Sequence, residues 1–161
     1  MVYTEEAKNY LRIDDDLTED DNSIVRMIEA SLRYIEKYTD VIFYDRDIDF
    51  LVQKGELRVY KYPINTDLST LTEYTTERKG LYTNFCSDSY DTVDLILNVG
   101  FTDESEIPQD LLEVAFEMID LYYYGEKDGK PIQKKLSSLS MDTLNIHKRF
   151  WLWEQEASIR K

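Results

Sequence analysis

Between Pro108 and Gly125 the chain carries a run of apolar residues interrupted at only a few regular places. Asp110, Glu113, Glu117, Asp120 and Tyr124 recur at spacings of 3, 4, 3 and 4, which on a helix is one narrow stripe. Leu111, Leu112, Val114, Ala115, Phe116, Met118, Ile119, Leu121 and Tyr122 take the remaining positions. A helix apolar on most of its circumference has to be enclosed. Either it is the core of the domain or it also packs against a neighbouring copy, and Phe116, Ile119 and Tyr122 are the residues expected at such a contact. Pro108 is tolerated in a first turn, where its missing N–H is not needed, and Asp110 complements the helix dipole. The helix is therefore expected over 108–124, ending at Gly125.

The rest of the chain supplies what could wrap it. Thr4, Glu5 and Glu6 form a capped start, with Ala7, Tyr10 and Leu11 on one side, predicting a helix over 4–12. Thr18 to Asp21 repeats the capping pattern ahead of Ile24, Ile28, Leu32 and Ile35, at i, i+4, i+8 and i+11, predicting a second helix over 18–39. Between residues 41 and 101 the period changes to two. Ile48, Phe50 and Val52 alternate with Asp47, Asp49 and Leu51; Leu57 and Val59 alternate with Arg58 and Tyr60; Val93, Leu95, Leu97, Val99 and Phe101 line up likewise. These are half-buried strands. Gly55 separates the first two, Pro63 stops the second, residues 71–75 and 81–85 form a further hairpin around Gly80, and 86–92 is a loop. The fold class is α+β: an N-terminal helix pair, a small antiparallel sheet, a buried third helix and a C-terminal arm, extended or helical.

Charge divides the chain in two. Residues 126–161 hold eight Lys and Arg against five Asp and Glu, a net +3, which leaves −17 on residues 1–125 of the total of −14. We therefore read a core domain over 1–125 and an arm over 126–161. The arm holds a turn at Lys127 to Pro131, a Ser-rich stretch, and a segment from Leu144 to Glu156 whose Ile146, Phe150 and Trp153 share a helical face. The strong negative charge argues against a protein that grips nucleic acid through its phosphates, and 13% aromatic residues argue against an acidic disordered chain. The start has neither a basic region nor an apolar core of a signal, and no apolar run reaches the roughly 18 residues of a membrane span, so neither secretion by a standard signal nor a membrane partner is expected.

Catalytic and cofactor chemistry find little support. His147 stands among Asn145, Ile146, Lys148 and Arg149 with no nucleophile motif nearby, and reads as a surface or interface histidine. The five glycines, Gly55, Gly80, Gly100, Gly125 and Gly129, are too dispersed to cradle a phosphate, and no nucleotide or cofactor motif is present. Asp14, Asp15, Asp16, Asp20 and Asp21 lack the glycine and closing glutamate of a calcium loop, and read as a solvated turn before a helix. Cys86, the one cysteine, excludes an internal disulfide and a multi-thiolate zinc site; it is either a small buried hydrophobe or a loop thiol. Arg149, Phe150, Trp151 and Trp153 with Lys148 are the types that dominate interface hot spots. That segment either meets a partner or folds back onto its own core. No catalytic residue, metal or cofactor is assigned.

In order, these elements resemble the head-tail connector family of tailed bacteriophages, the head-completion adaptors that join a portal ring to a tail. Thr4-Glu-Glu-Ala-Lys-Asn-Tyr-Leu-Arg-Ile-Asp14 resembles that family's starting helix and its ending. Leu17 to Asp21 and Tyr34-Ile-Glu-Lys-Tyr-Thr39 resemble its acidic turn and the close of its long helix. Leu57 to Pro63-Ile64 is similar to its strand ending in Pro-Ile, and Leu95 to Phe101 to the strand before an acidic loop. Ile107-Pro-Gln-Asp-Leu-Leu-Glu-Val-Ala115, running to Leu121-Tyr122, resembles its buried helix. The likeness spans residues 4–125, with a longer and more acidic stretch at 65–92.

What the resemblance implies is a non-enzymatic virion protein of the neck. Twelve copies would ring the portal axis after assembly from the host cytoplasm, with a tail-side connector or tail protein beyond and genomic DNA passing through the channel without specific binding. Lys148, Arg149, Phe150, Trp151 and Trp153 would then dock on the portal protein or a neighbouring copy. An acidic channel suits such a conduit, because it repels the phosphate backbone. The alternative reading is an acidic DNA mimic that inhibits a nucleic-acid enzyme.

Overall fold

The computed structural model describes residues 3–52, 55–65, 75–79, 82–87, 93–127 and 135–159, with side chains described except at 51, 52, 55, 56, 75–79, 87, 93, 94, 126, 127 and 149–159. Four helices and five strands are present among them: α1 (Tyr3–Leu11), α2 (Asp21–Thr39), β1 (Arg46–Val52), β2 (Gly55–Val59), β3 (Thr75–Lys79), β4 (Tyr82–Ser87), β5 (Val93–Val99), α3 (Gln109–Lys127) and α4 (Ser138–Ile159). The α+β class holds. The chain divides into two compact units, one of Met1–Thr39 with Pro108–His147 and one of Asp40–Ile107 with Lys148–Lys161.

The helical unit is built on α2 and α3. The predicted stripe of α2, Ile24, Ile28, Leu32 and Ile35, is fully enclosed, as are Leu111, Val114 and Ile119 of α3 and Leu144 of α4. The start of α2 lies at Asp21 rather than Thr18. The carbonyl of Asp20 accepts the Ser23 and Ile24 N–H groups at 2.9 Å, so the helical ladder begins there, and Thr18 to Asp20 form a turn before it. At its far end α3 runs through Gly125 to Lys127. One helical glycine costs only about 1 kcal/mol, and the last turn is held by Tyr123 and Tyr124, whose hydroxyls donate to Asp20 and to the Leu11 carbonyl.

The strands of the second unit fall into two antiparallel sheets, β1–β5 and β2–β4–β3. Ile48 opposes Leu97 and Phe50 opposes Leu95, so the predicted alternation lies on one face of the first pair. Leu57 opposes Phe85 in the second sheet. Ile42, Val59, Phe85, Leu95, Leu97 and Val99 form one core, with Ile48, Phe50, Leu57 and Ile64 against it. The expected hairpin is present as β3 and β4, with Lys79 opposite Tyr82, shifted toward the C-terminus from 71–75 and 81–85. Cys86 lies within β4, while 88–92 of the expected loop, 71–74 of the expected strand and 128–131 of the expected turn lie outside the described residues.

A polar clasp holds residues 63–65 against β5. The Asn65 backbone N–H donates to the Asn98 carbonyl, and the Gly100 N–H to the Pro63 carbonyl, both at 2.9 Å. The Asn65 amide donates to Asn98 Oδ1 at 2.7 Å and to the Gly100 carbonyl at 2.9 Å, and Asn98 donates in turn to Asp47 at 3.0 Å. Asn98 is buried, and this network satisfies its amide.

Candidate functional site

Two surfaces of the helical unit carry the features that the sequence singled out, and the first is the seat of α4 on α3. Ser137 caps α4, its hydroxyl accepting the Ser140 N–H at 3.2 Å and its carbonyl the Met141 N–H at 3.0 Å. The Glu117 carboxylate then accepts from the Ser137 N–H at 2.5 Å, from the Ser137 hydroxyl at 2.9 Å and from the Ser140 hydroxyl. Further along, His147 Nε2 lies 3.1 Å from Asp110 Oδ2, and the Tyr38 hydroxyl of α2 donates to Asn145 at 2.8 Å. Leu144 is fully buried between these polar contacts. Two members of the polar stripe of α3, Glu117 and Asp110, are thus the fixed points at which the first half of α4 meets it. The Ser-rich stretch is the sequence signal for it, a hydroxyl at a helix start with another three residues on.

Burial alone would raise the Glu117 carboxyl, but the hydrogen bonds from Ser140 and Ser137 outweigh it and hold the group below the ordinary glutamate value of 4.5. The anchored form is therefore the ionised one. Its contribution to stability is complete above that ordinary value and is lost as the pH falls through the lower value of the folded protein. We expect the difference in Tm between the wild type and Glu117→Gln, followed by circular dichroism from pH 7 to pH 3, to persist at neutral pH and to shrink below about pH 4.

The second surface is the acidic connection between α1 and α2. It is tied down from beneath by Lys8, 4% exposed, whose Nζ sits 2.5 Å from Asp21 Oδ1 and donates to the Asp15 carbonyl at 3.2 Å. The Tyr123 hydroxyl donates to Asp20 Oδ2 at 2.7 Å and the Tyr124 hydroxyl to the Leu11 carbonyl at 3.2 Å. Asp14, Asp15, Asp16 and Glu19 stay exposed, and so does Leu17 among them. Sequence reasoning took the five aspartates as one solvated group and missed that Asp20 and Asp21 are structural. The missed signal is Lys8 on the apolar side of α1, one residue after Ala7. Among the described residues no group of three His, Cys, Asp or Glu is placed to hold a metal ion, and no helix is long and apolar enough to cross a membrane.

The remaining predicted residues are placed as follows. Phe116 and Ile119 are covered by the helical unit itself, Phe116 with its ring stacked on Tyr10 at 5.7 Å, and Tyr122 is half-buried. Of the three residues expected between copies, Tyr122 keeps surface for a neighbour. The Tyr10 hydroxyl is pushed up from its ordinary value by burial and then by the carboxylates of Asp120, Glu117 and Glu113. Lys148 is half-buried on α4; the side chains of Arg149, Phe150, Trp151 and Trp153 lie outside the described residues, although the helix backbone continues through them. Cys86 is half-buried on a strand rather than a loop, with the Asn84 amide 3.5 Å from its sulfur.

No protein-family model and no curated protein matches this chain. Its fold is similar to that of a chain in the neck of an empty gene transfer agent (GTA) particle computed with C6 symmetry, with a TM-score of 0.70, 14% identity, and 90% of this chain and 88% of that chain covered. A chain of the virion of the native GTA particle matches at 0.70 and 15% identity, covering 90% and 87%. A chain from the neck of the native particle computed with C12 symmetry matches at 0.66 and 12% identity, covering 91% and 87%. The fold is shared with these chains over nearly the whole length of both partners. The resemblance to head-tail connectors drawn from the sequence agrees with that likeness.

Proposed function

We propose that this chain is a structural subunit of a virion neck, a head-tail connector whose copies close into a ring on the portal and extend the DNA channel toward the tail. The observation that carries this reading is the fold, shared over 90% of the chain with a chain in the neck of a GTA particle. The C6 and C12 symmetries of those neck structures support a ring, and we take twelve copies as the expected number. The net −17 of residues 1–125 suits a conduit, since an acidic wall repels a phosphate backbone that a basic wall would hold. The role is structural rather than catalytic. The subunit would be made in the host cytoplasm and end in the neck, with a tail-side protein on its other face.

The portal contact is assigned to the distal half of α4, with Phe150, Trp151 and Trp153 as anchors and Lys148 and Arg149 meeting acids. Electron microscopy of the protein mixed with the portal ring encoded alongside it should show a stacked ring with one copy per portal subunit. The absence of any complex across several salt concentrations would overturn the connector reading. A truncation lacking 149–161 tests the arm without disturbing the helical unit. A cut at residue 131 would also remove Leu144 and the serines bound to Glu117, and so expose the core. The shorter truncation should lose from its circular dichroism spectrum only the helical signal of residues 149–159, keep a cooperative thermal transition, and lose portal binding; retained binding would contradict the assignment.

A further inference from the structure

Resting on the ring reading, we infer that the outward face of the first half of α4 is the seat for the neighbouring copy, and that what it receives is that copy's α1–α2 connection, led by Leu17. A closed ring uses a heterologous contact, in which two different patches of one chain meet around the axis. Among the described residues of the helical unit, three large aliphatic side chains are exposed: Leu139 at 76%, Ile146 at 54% and Leu17 at 54%. They fall on two separate elements. Leu139 and Ile146, seven residues apart, share one face of α4, and it is not the face on α3, which holds Ser140, Leu144 and His147. Leu17 stands alone at the crest of a connection fixed from below by Lys8 and Tyr123. One patch is a strip made by two aliphatic side chains on a helix, and the other is a single aliphatic knob on a pinned turn.

Each patch carries an exposed charge that the other can meet with the opposite sign. Beside the strip stand exposed Lys135, before the start of α4, and exposed Asp142 between the two aliphatics. Beside the knob stand exposed Asp14, Asp15, Asp16 and Glu19, and exposed Arg12 at the end of α1. With Leu17 seated between Leu139 and Ile146, the carboxylates of the connection have Lys135 to meet and Arg12 has Asp142. Knob on knob would place carboxylates together, and either self-pairing, strip on strip or knob on knob, is an isologous contact that closes a dimer rather than a ring. This divides α4 by function, its first half for the neighbouring copy and its second half for the portal.

The test uses full-length protein with Cys86→Ser as background, assembled on the portal ring. Leu17→Cys protein and Ile146→Cys protein, mixed and treated with a short bismaleimide, should give crosslinked dimers containing one of each. Either protein alone should give none, and the double variant should give a ladder up to the full ring. Leu17→Glu and Ile146→Glu should each raise the concentration needed for ring assembly about tenfold or more, with melting temperatures unchanged. If wild-type rings form on the portal but the mixture does not crosslink and both glutamate variants assemble normally, this inference falls while the connector reading stands. If wild-type protein forms no ring on the portal, both fall together.

Discussion

Gly100→Ala is expected to be among the most damaging single substitutions in this protein, at a cost of about 3–5 kcal/mol and a fall in Tm on the order of 10 °C. Gly100 follows β5 with φ +112, a conformation that side-chain-bearing residues rarely adopt. A Cβ there would stand 2.4 Å from the Tyr44 carbonyl oxygen, 2.5 Å from its carbon and 2.8 Å from the Asp45 Cα. All three are backbone atoms, so no side-chain rotation relieves the clash. Moving Gly100 also breaks what it ties, since its N–H donates to Pro63 and its carbonyl accepts from Asn65. Urea denaturation of Gly100→Ala should show the loss, with Ile96→Ala on the exposed side of β5 as a control close to wild type. A Gly100→Ala protein melting within about 2 °C of wild type would contradict this account of the β5 end.

Lys8→Ala comes next, with an expected loss of about 2–3 kcal/mol. A buried ammonium costs several kcal/mol to desolvate and is tolerated here because it meets Asp21 and the Asp15 carbonyl. Removing it leaves a space among buried side chains and an aspartate with no counter-charge. Asp21 is 35% exposed and regains water, which holds the cost below that of a fully enclosed pair. Lys8→Met keeps the aliphatic stem that packs in the unit and should recover roughly half of the loss. The readout is the urea midpoint of the three proteins. A second readout is thermolysin cleavage next to Leu17, which should be faster in Lys8→Ala because the α1–α2 connection loses its tether. Lys8→Met as stable as wild type would show that the charge contributes nothing.

These two positions show where sequence reasoning stops. Gly100 was visible only as one of five scattered glycines, because its strain comes from the backbone at Tyr44, fifty-six residues earlier. Lys8 looked like any helix-surface lysine, and its burial depends on α2 and α3 closing over α1. The acids divide in the same way. On α3, Asp110 and Glu117 were legible as a stripe, yet nothing local indicated that residues 137–147 would lie along it. The basic aromatic arm was legible as a change of composition; that α4 would enter the helical unit through Leu144 and leave Leu139 and Ile146 outside was not.

The amino-acid sequence by itself determined the order of helices and strands through α3, and left the arm open between extended and helical. The 3.6-residue period in 24–35 and the near-complete apolarity of 111–122 specify helices, and the period of two at 48–52 and 95–99 specifies strands, because these patterns record which face of an element leaves water. Tertiary structure alone decided what each face meets. Tyr38 with Asn145, Tyr123 with Asp20 and Asn98 with Asp47 join residues 51 to 107 positions apart. The distribution of strands between two sheets is of the same kind. A side chain's periodicity reports how much of it is buried, whereas its partner is set by the path of the whole chain, which no local pattern contains.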